Sequence, residues 1–423
     1  MAYTAEIISV GTELLLGSIA NTDAQDVSQA LSEIGINVFF HTVVGDNPER
    51  VKQAVAIAKD RADIIITTGG LGPTCDDLTK QTLADAFGKK LLFNENEAAK
   101  IRAYFETRLK NMEMTENNFQ QAYLPENCVI FDNGCGTAPG CAFEAEGTHV
   151  LMLPGPPREC RAMLKNCAIP YLKALSDAEI HSHNIHIFGQ GESTVESRLR
   201  DMMLEMNNPT LAPYAKDSEV LLRLTAKAAS KDAAEAMLAP VLEKLRGILG
   251  DIIYGVDTDS LERTVISLLT EKNTTLSAAE SCTGGLLAKR LTDIPGASRV
   301  FFGGVTTYAT ASKTSVLGVD ASLIEEKGVA SKNVAEQMAI RVKTLFGTDL
   351  GIGITGIAGP DGDGSGLDVG TVFVALAAPG GVFTRSLTLY PDRDRTRTTA
   401  ASHALDMLRR YLTGLPVEKI SGQ

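Results

Sequence analysis

The sequence predicts an α/β protein of three domains followed by a short tail. Its 423 residues exceed what one hydrophobic core usually spans. The first part of the chain alternates β-branched apolar runs with amphipathic segments, and this alternation changes in the middle of the chain. We expect an N-terminal domain with a parallel sheet in three layers at 1–170, a small α+β domain at 171–255, an α/β domain at 256–415 and a frayed tail at 416–423.

Apolar runs that end in glycine predict the strands of the N-terminal domain. These runs are "AEIISVG", "INVFFHTVVG", "ADIIITTGG" and "HVLMLPG". Between them, helical spacing behind a polar cap predicts helices in "NTDAQDVSQALSEIG" and "NPERVKQAVAIAKD". Alternation of this kind produces a largely parallel sheet with helices on both faces, and ligands bind outside the carboxyl ends of its strands.

The order of predicted strands and helices differs in the other two domains. The middle domain follows the order β-α-β-β-α-β in "NIHIFG", "ESTVESRLRDMML", "TLAPYA", "EVLLRLTAKA", "DAAEAMLAPVLEKLRGIL" and "DIIYG". In the C-terminal domain, strands are predicted for "TTLSAAES", "RVFFGGVTTY", "DLGIGITG" and "GTVFVALAA".

Composition excludes several classes of protein. The net charge of −12, without a dense Lys/Arg stripe, argues against direct nucleic-acid binding. The sequence contains no run of 18 apolar residues, so it predicts no membrane span, and the first residues lack the pattern of a signal peptide. The seven cysteines are odd in number and form no CxxC pair, which indicates free thiols in a reducing compartment. We expect a cytoplasmic homodimer with no nucleic-acid or membrane partner.

The stretch "ITTGGLGPTCDDLT" combines glycines with two neighbouring acids. Gly69, Gly70 and Gly72 allow a tight exit from a strand and let backbone amides approach a phosphate. Asp76 and Asp77 can hold Mg²⁺ or a similar hard cation. From spacing alone, a glycine turn followed by an acidic helix cap is an equally good interpretation.

The stretch "SAAESCTGGLLAKR" places two nucleophiles side by side, Ser281 and Cys282, where a strand passes into a helix. Unpaired amides and the helix dipole at such a junction favour developing negative charge. Thr283, Gly284 and Gly285 follow, and the two glycines keep the backbone open to a substrate.

A serine needs a base, and Lys313 is the candidate, provided that burial lowers its pKa enough to leave a neutral amine. Tyr308 can donate a proton or orient the lysine. Cys282 stays an alternative nucleophile, because a helix N-terminus stabilises a thiolate. As a small residue it also suits simple packing.

Two further patches are candidates for substrate binding. In "LGIGITGIAGPDGDGSG", Thr355 and Gly356 can offer a hydroxyl and an amide at a strand end. In "YPDRDRTRTTA", Arg393 and Arg397 are four residues apart, so they lie on one face of a helix and suit a phosphate. An ordinary solvated helix face is the alternative interpretation of the arginines.

Taken in order, these motifs resemble the CinA (competence/damage-inducible) family over essentially the whole chain. The resemblance rests on "SVGTELLLGSIANTDA", "NGCGTAPG", "LPGPPRE", "GQGEST", "ESCTGG", "YATASK" and "ITGIAGP". Arg393 and Arg397 match paired arginines of the family, although Pro391 stands where the family usually has glycine.

The resemblance implies a molybdopterin-binding type of N-terminal domain that hydrolyses ADP-ribose to AMP and ribose 5-phosphate with a divalent metal. It also implies a C-terminal domain that deamidates nicotinamide mononucleotide to nicotinate mononucleotide and ammonia without a cofactor, with Ser281 as the nucleophile. Two alternatives stay open: an enzyme related to the molybdenum cofactor or to pterins, and a non-catalytic scaffold in competence or DNA repair.

Overall fold

Mixed sheets covered by helices form the core of the protein, which confirms the expected α/β class. The computed structural model describes residues 3–108, 114–175, 179–216 and 218–418. The chain divides into two units, one comprising residues 1–181 and 227–234 and the other residues 182–226 and 235–423.

The first unit contains a six-stranded sheet with the strand order β2-β1-β3-β8-β7-β6 and a separate pair, β4-β5. Its strands are β1 (Thr4–Val10), β2 (Asn37–Val44), β3 (Ile64–Thr68), β4 (Leu91–Phe93), β5 (Tyr123–Pro125), β6 (Val129–Phe131), β7 (Gly140–Ala145) and β8 (Thr148–Leu153). Strands β2, β1, β3 and β8 run parallel. Strands β7 and β6 add an antiparallel edge that the sequence patterns did not indicate.

Helices lie in the connections between these strands. They are α1 (Thr12–Leu15), α2 (Thr22–Glu33), α3 (Pro48–Lys59), α4 (Thr79–Ala86), α5 (Glu95–Arg108), α6 (Pro157–Met163) and α7 (Ile169–Lys173), with a 3₁₀ segment at Glu116–Ala122 and a π-helical turn at Leu164–Ala168. Helices α2 and α3 begin where the sequence indicates, because the side chains of Asn21 and Asn47 accept hydrogen bonds from the first-turn amides.

The central strands are buried on both faces, which accounts for their continuous apolar sequences. On β3, Ile64 and Ile66 point into one cluster, which contains residues of α2 and α6. Ile65 points into the other cluster, which contains residues of α3. The alternation of side chains along each strand therefore builds the expected three layers.

The second unit contains most of a four-stranded sheet and all of a five-stranded one. The four-stranded sheet has the order β10-β11-β9-β12, formed by β9 (Glu179–Phe188), β10 (Thr210–Lys216), β11 (Glu219–Ala228) and β12 (Ile253–Val256), with helices α8 (Glu192–Glu205) and α9 (Lys231–Leu249) and a 3₁₀ turn at Gly250–Ile252. This is the β-α-β-β-α-β order that the sequence predicts.

The five-stranded sheet has the order β14-β13-β15-β16-β17. Its strands are β13 (Leu276–Glu280), β14 (Phe301–Thr306), β15 (Leu350–Gly356), β16 (Thr371–Ala378) and β17 (Gly381–Thr388). Its helices are α10 (Leu261–Glu271), α11 (Leu286–Thr292), α12 (Thr310–Ser315), α13 (Ala321–Lys327), α14 (Lys332–Phe346) and α15 (Arg393–Leu412), with a 3₁₀ turn at Ala297–Arg299. Strands β14, β13 and β15 are parallel, whereas β16 and β17 are antiparallel.

A buried charge network fixes the end of α15. Arg410 is fully buried, and its Nη1 donates to Asp251 Oδ2 at 2.6 Å. Arg385 donates through Nη2 to Asp406 Oδ2 at 2.9 Å and through Nε to the Val417 carbonyl oxygen at 2.9 Å. Because Val417 is buried, the prediction of a frayed tail is wrong for residues 416–418, and residues 419–423 lie outside the described residues.

Within the described ranges, no helix combines the length and the apolar composition needed to cross a membrane.

Asp23 is a buried acid in the first turn of α2. The residue is 8 % exposed, and its Oδ1 has no hydrogen-bond partner among the described residues. Burial raises the pKa of Asp23 to about 6, and Asp26 adds to the rise while Arg161 opposes it. The ionised form of Asp23 therefore costs stability in the folded state.

We expect Asp23→Asn to stabilise the protein at pH 7.5 by about 1 to 3 kcal/mol, because the amide cannot ionise. A carboxyl whose pKa is higher in the folded than in the unfolded state destabilises the fold most at pH values above its folded-state pKa. The stability gained by Asp23→Asn should therefore shrink as the pH falls below 6 and vanish below about pH 4. Urea unfolding of both proteins across this pH range measures the difference. The exposed Asp60→Asn is the control and should show no such trend, whereas an equal gain at pH 4 and pH 7.5 would contradict the explanation.

Candidate functional site

The first candidate site is a cleft of about 570 Å³ at the carboxyl ends of β1, β3 and β8. Its lining includes the glycine loop Gly69–Gly72 and the segment Pro154–Pro157. Among the lining residues there is no lysine, arginine or histidine, whereas five carry carboxylates: Glu13, Asp46, Asp76, Asp77 and Glu159. The cleft is therefore strongly acidic.

Glycine is required at each of the three predicted loop positions. Gly69 has φ 92° and Gly70 has φ 67°, a region that other residues rarely adopt. A Cβ on Gly69 would lie 2.2 Å from the Val10 carbonyl oxygen, and one on Gly72 would lie 2.4 Å from Asp77 Oδ2. The glycines thus let the loop fold closely against the end of β1 and against its own acids.

Thr74 holds both predicted metal ligands. Its hydroxyl lies within hydrogen-bond distance of Asp76 Oδ1, at 2.5 Å, and of Asp77 Oδ2, so its single proton can be donated to either oxygen. Its amide donates to Asp77 Oδ2 at 2.9 Å. These contacts orient the two carboxylates, which line the same cleft. The hydrogen bond from Thr74 lowers the pKa of Asp76, so this acid is ionised at neutral pH.

The donor set of the cleft fits a divalent metal of the magnesium type. All of its charged groups are carboxylates, and hard cations prefer oxygen ligands. Among the described residues, no group of three or more His, Cys, Asp or Glu side chains has metal-binding geometry. Magnesium is commonly bound through one or two carboxylates together with water and substrate phosphates, which matches Asp76 and Asp77.

The second candidate site lies at the carboxyl end of β13. Ser281 follows this strand, and Lys313 lies on α12 with its Nζ 2.9 Å from Ser281 Oγ. Lys313 is 1 % exposed, and its Nζ also donates to the Thr307 carbonyl oxygen at 2.7 Å. Burial lowers the pKa of Lys313 to about 8, so a useful fraction of the amine is neutral near physiological pH.

Cys282 is buried beside Ser281. Its side chain is 6 % exposed, and burial raises the pKa of the thiol to about 11, although Lys313 opposes the rise. A protonated thiol is a poor nucleophile. Ser281 Oγ contacts Lys313, whereas the thiol of Cys282 is buried and protonated, and the assignment of Ser281 as the nucleophile stays a prediction.

Glu280 occupies the N-terminus of α11. Its Oε2 accepts hydrogen bonds from the amides of Gly285 and Leu287 at 3.1 Å each, and its Oε1 accepts one from Ala288 at 2.8 Å. Glu280 is 1 % exposed, so these bonds are shielded from water. The expectation of unpaired amides here is wrong for these three groups, because a carboxylate from the adjacent strand already binds them.

The two predicted arginines and the predicted tyrosine form hydrogen bonds with other groups of the C-terminal part of the chain. Arg393 donates to Tyr308 Oη at 2.8 Å and to the Gly359 carbonyl oxygen at 2.6 Å. Arg397 donates through Nη2 to the Thr283 carbonyl oxygen at 2.9 Å. The hydroxyl of Tyr308 therefore pairs with an arginine and makes no hydrogen bond to Lys313.

The small residues around the nucleophile have different structural roles. Gly284 (φ 63°) and Gly285 (φ 93°) adopt left-handed conformations that form the turn into α11. The hydroxyl of Thr283 is buried without a partner. Thr355 donates its hydroxyl to the Val329 carbonyl oxygen at 2.9 Å, and a Cβ on Gly356 would lie 2.5 Å from the Thr371 carbonyl oxygen. The substrate-binding roles of Thr355 and Gly356 stay predictions.

Sequence reasoning missed two groups of the second site. The Thr307 carbonyl positions Lys313, and a backbone acceptor leaves no signal in a sequence. Glu280 left no capping signal either, because it lies five residues before Gly285, the N-cap of α11.

The chain is similar to known protein families along most of its length. Three family models match: "Probable molybdopterin binding domain" at residues 6–174, "Damage-inducible protein CinA KH domain" at 182–255 and "CinA C-terminal domain" at 258–412.

Full-length relatives match as well. A CinA-like protein of Desulfovibrio desulfuricans is 47% identical over 418 residues, which cover 98% of this chain and 97% of the relative. A CinA-like protein of Dictyoglomus thermophilum is 46% identical over 410 residues, covering 97% of this chain and 99% of the relative. Among solved structures, a CinA protein of unknown function from Thermoplasma acidophilum is 32% identical and matches 41% of this chain and 98% of its own, with a TM-score of 0.37.

Proposed function

The chain belongs to the CinA family, and on that premise we propose that its C-terminal domain deamidates nicotinamide mononucleotide to nicotinate mononucleotide and ammonia. The observation that carries the proposal is the 2.9 Å distance between Ser281 Oγ and Lys313 Nζ at a buried site. A serine paired with a base of lowered pKa is the arrangement that acyl transfer requires.

The neutral amine of Lys313 takes the proton of Ser281 while Oγ attacks the carboxamide carbon of the substrate. The resulting ammonium of Lys313 returns this proton to the departing nitrogen, and ammonia leaves an acyl ester on Ser281. Water then attacks the ester with Lys313 again as the base, and this step releases the carboxylate and restores the serine. No cofactor takes part in these steps.

The two arginines suit the phosphate of the mononucleotide. Each guanidinium has five N–H donors, and the hydrogen bonds to Tyr308, Gly359 and Thr283 use only some of them. Arg393 and Arg397 therefore keep donors for a phosphate next to the reacting serine. Gly284 supports this approach, because its missing side chain leaves room beside Arg397 Nη2.

For the N-terminal domain we propose metal-dependent hydrolysis of ADP-ribose to AMP and ribose 5-phosphate. The acidic cleft supports this proposal, because a diphosphate can enter it only when a cation balances the charge. Asp76 and Asp77, oriented by Thr74, would hold the metal. When bound, the metal would neutralise the phosphate oxygens and lower the pKa of a water molecule.

A second candidate function for the same cleft is binding of a pterin. The match of residues 6–174 to a molybdopterin-binding domain favours it. Incubation with ADP-ribose and Mg²⁺, followed by chromatography of AMP and ribose 5-phosphate, separates the two candidates, because a pterin-binding protein would release neither product.

We expect Ser281→Ala to lower the rate of deamidation by about 10³-fold or more, because the acyl intermediate cannot form. Lys313→Ala should be nearly as severe, since an unassisted hydroxyl stays protonated. Cys282→Ala is the matched control next in sequence and should keep most of the activity. Ammonia release from nicotinamide mononucleotide measures all three, and an active Ser281→Ala with an inactive Cys282→Ala would reverse the assignment.

The pH profile of deamidation should report the ionisation of Lys313. Because the base must be neutral and burial lowers its pKa to about 8, kcat/KM should rise about tenfold per unit below pH 8 and level off above it. Tyr308→Phe should keep this midpoint, since the tyrosine hydroxyl does not contact the lysine. A profile that is flat from pH 6 to pH 9 would argue against Lys313 as the base.

Asp76→Ala and Asp77→Ala should each reduce the cleavage of ADP-ribose by about 100-fold or more, because either change removes a metal ligand. Deamidation by the same proteins should be unchanged. Asp85→Ala, on the next helix and outside the cleft, is the control. Wild-type cleavage of ADP-ribose by both aspartate variants would refute the metal assignment.

A further inference from the structure

The 3₁₀ segment Glu116–Ala122 forms one wall of the acidic cleft. Two hydrogen bonds fix it there. Asn117 Nδ2 donates to the carbonyl oxygen of Pro73 at 3.1 Å, and Lys80 Nζ donates to the carbonyl oxygen of Gln121 at 2.6 Å. Because the glycine loop holds the segment through Pro73 and α4 holds it through Lys80, the position of Gln121 is well determined.

Gln121 is one of the residues that line the cleft, and its side-chain oxygen accepts no hydrogen bond from the described residues. It is 2 % exposed, and Oε1 has no partner among the described residues. Lys80 does not satisfy it, because its amine binds the main-chain carbonyl of the same residue. An acceptor buried in this way destabilises the empty site until a donor binds to it.

Among the described residues that line the cleft there is no lysine, arginine or histidine to donate to Gln121 Oε1, so the bound molecule is the candidate donor. On the function proposed above, that molecule is a nucleotide diphosphate linked to a sugar. Its phosphates carry no protons to donate at neutral pH. Its available donors are ribose hydroxyls and the exocyclic amine of the base.

We propose that Gln121 is a specificity-determining residue of the N-terminal site, whose side-chain amide accepts a hydrogen bond from a hydroxyl or the exocyclic amine of the nucleotide. This inference rests on the proposed hydrolysis of ADP-ribose. A site that contains a buried acceptor rejects a molecule that lacks the matching donor, because the acceptor would then stay unpaired.

The missing partner of Gln121 Oε1 makes it possible to distinguish a binding role of this residue from a structural role. If Gln121 only supported the fold, its replacement by leucine would lower stability. Because its oxygen has no partner in the protein, Gln121→Leu removes a polar group that gains nothing from folding, so the unfolding temperature should stay equal or rise. Loss of activity without loss of stability is the expected signature.

The experiment uses the full chain with Mg²⁺ and measures kcat/KM for ADP-ribose and for analogues that each lack one donor. The set includes the hypoxanthine form, the 2′-deoxy and 3′-deoxy adenosine forms, and forms that lack one hydroxyl on the distal ribose. The proteins are the wild type, Gln121→Leu and Gln120→Leu. The last is a matched control, since Gln120 is the exposed neighbour of the same type.

We expect kcat/KM of the wild type to be about tenfold or more higher for ADP-ribose than for one of the analogues. In Gln121→Leu, kcat/KM for ADP-ribose should fall by that factor, so that the two molecules are cleaved equally well. Gln120→Leu should behave as the wild type. The proposal is overturned if Gln121→Leu keeps the wild-type selectivity, or if the wild type discriminates against none of the analogues. A wild type that cleaves neither ADP-ribose nor any analogue refutes the proposed hydrolysis itself, which is a distinguishable result.

Discussion

Both candidate sites depend on the parallel direction of the strands beneath them. Strands that run the same way deliver their carboxyl ends to one edge of a sheet, and the loops that follow them must then meet. In the first sheet, β1, β3 and β8 lead into the walls of the acidic cleft. In the five-stranded sheet, β13 and β14 place Ser281 beside the turn that carries Thr307 and Lys313. Residues far apart in sequence thereby become neighbours.

At the serine site, the groups that neutralise the helix end differ from the groups that surround Ser281. The positive end of α11 is neutralised by Glu280, so this helix end serves mainly to join β13 to α11. Burial lowers the pKa of Lys313, which contacts Ser281, and raises the pKa of Cys282. A single dry environment thus makes the amine a better base and the neighbouring thiol a poorer nucleophile.

The sequence predicted much of this structure because its strongest signals are local. Strands such as β3 and helices such as α2 were identified from apolar periodicity and from asparagine caps. Strand β17 was missed because its hydrophobic pattern is weak, with half of its residues exposed. The contacts of Glu280 with the amides of α11, and the lack of a partner for Gln121 Oε1 among the described residues, were missed because both depend on how the folded chain surrounds these side chains, and no spacing rule encodes that.

Helix α15 has arginines with opposite environments at its two ends. Arg393 and Arg397 lie in its first turns, beside the serine site. Arg410 lies near its other end, where it is fully buried and contacts Asp251. Asp251 precedes the region that matches the C-terminal family model. A helix is stiff, so this buried ion pair sets its rotation about its own axis and with it the direction of the leading arginines. Arg410 also donates to Asp406 Oδ2 on the same helix, so loss of this one guanidinium would deprive two carboxylates, Asp251 and Asp406, of a charge partner at once.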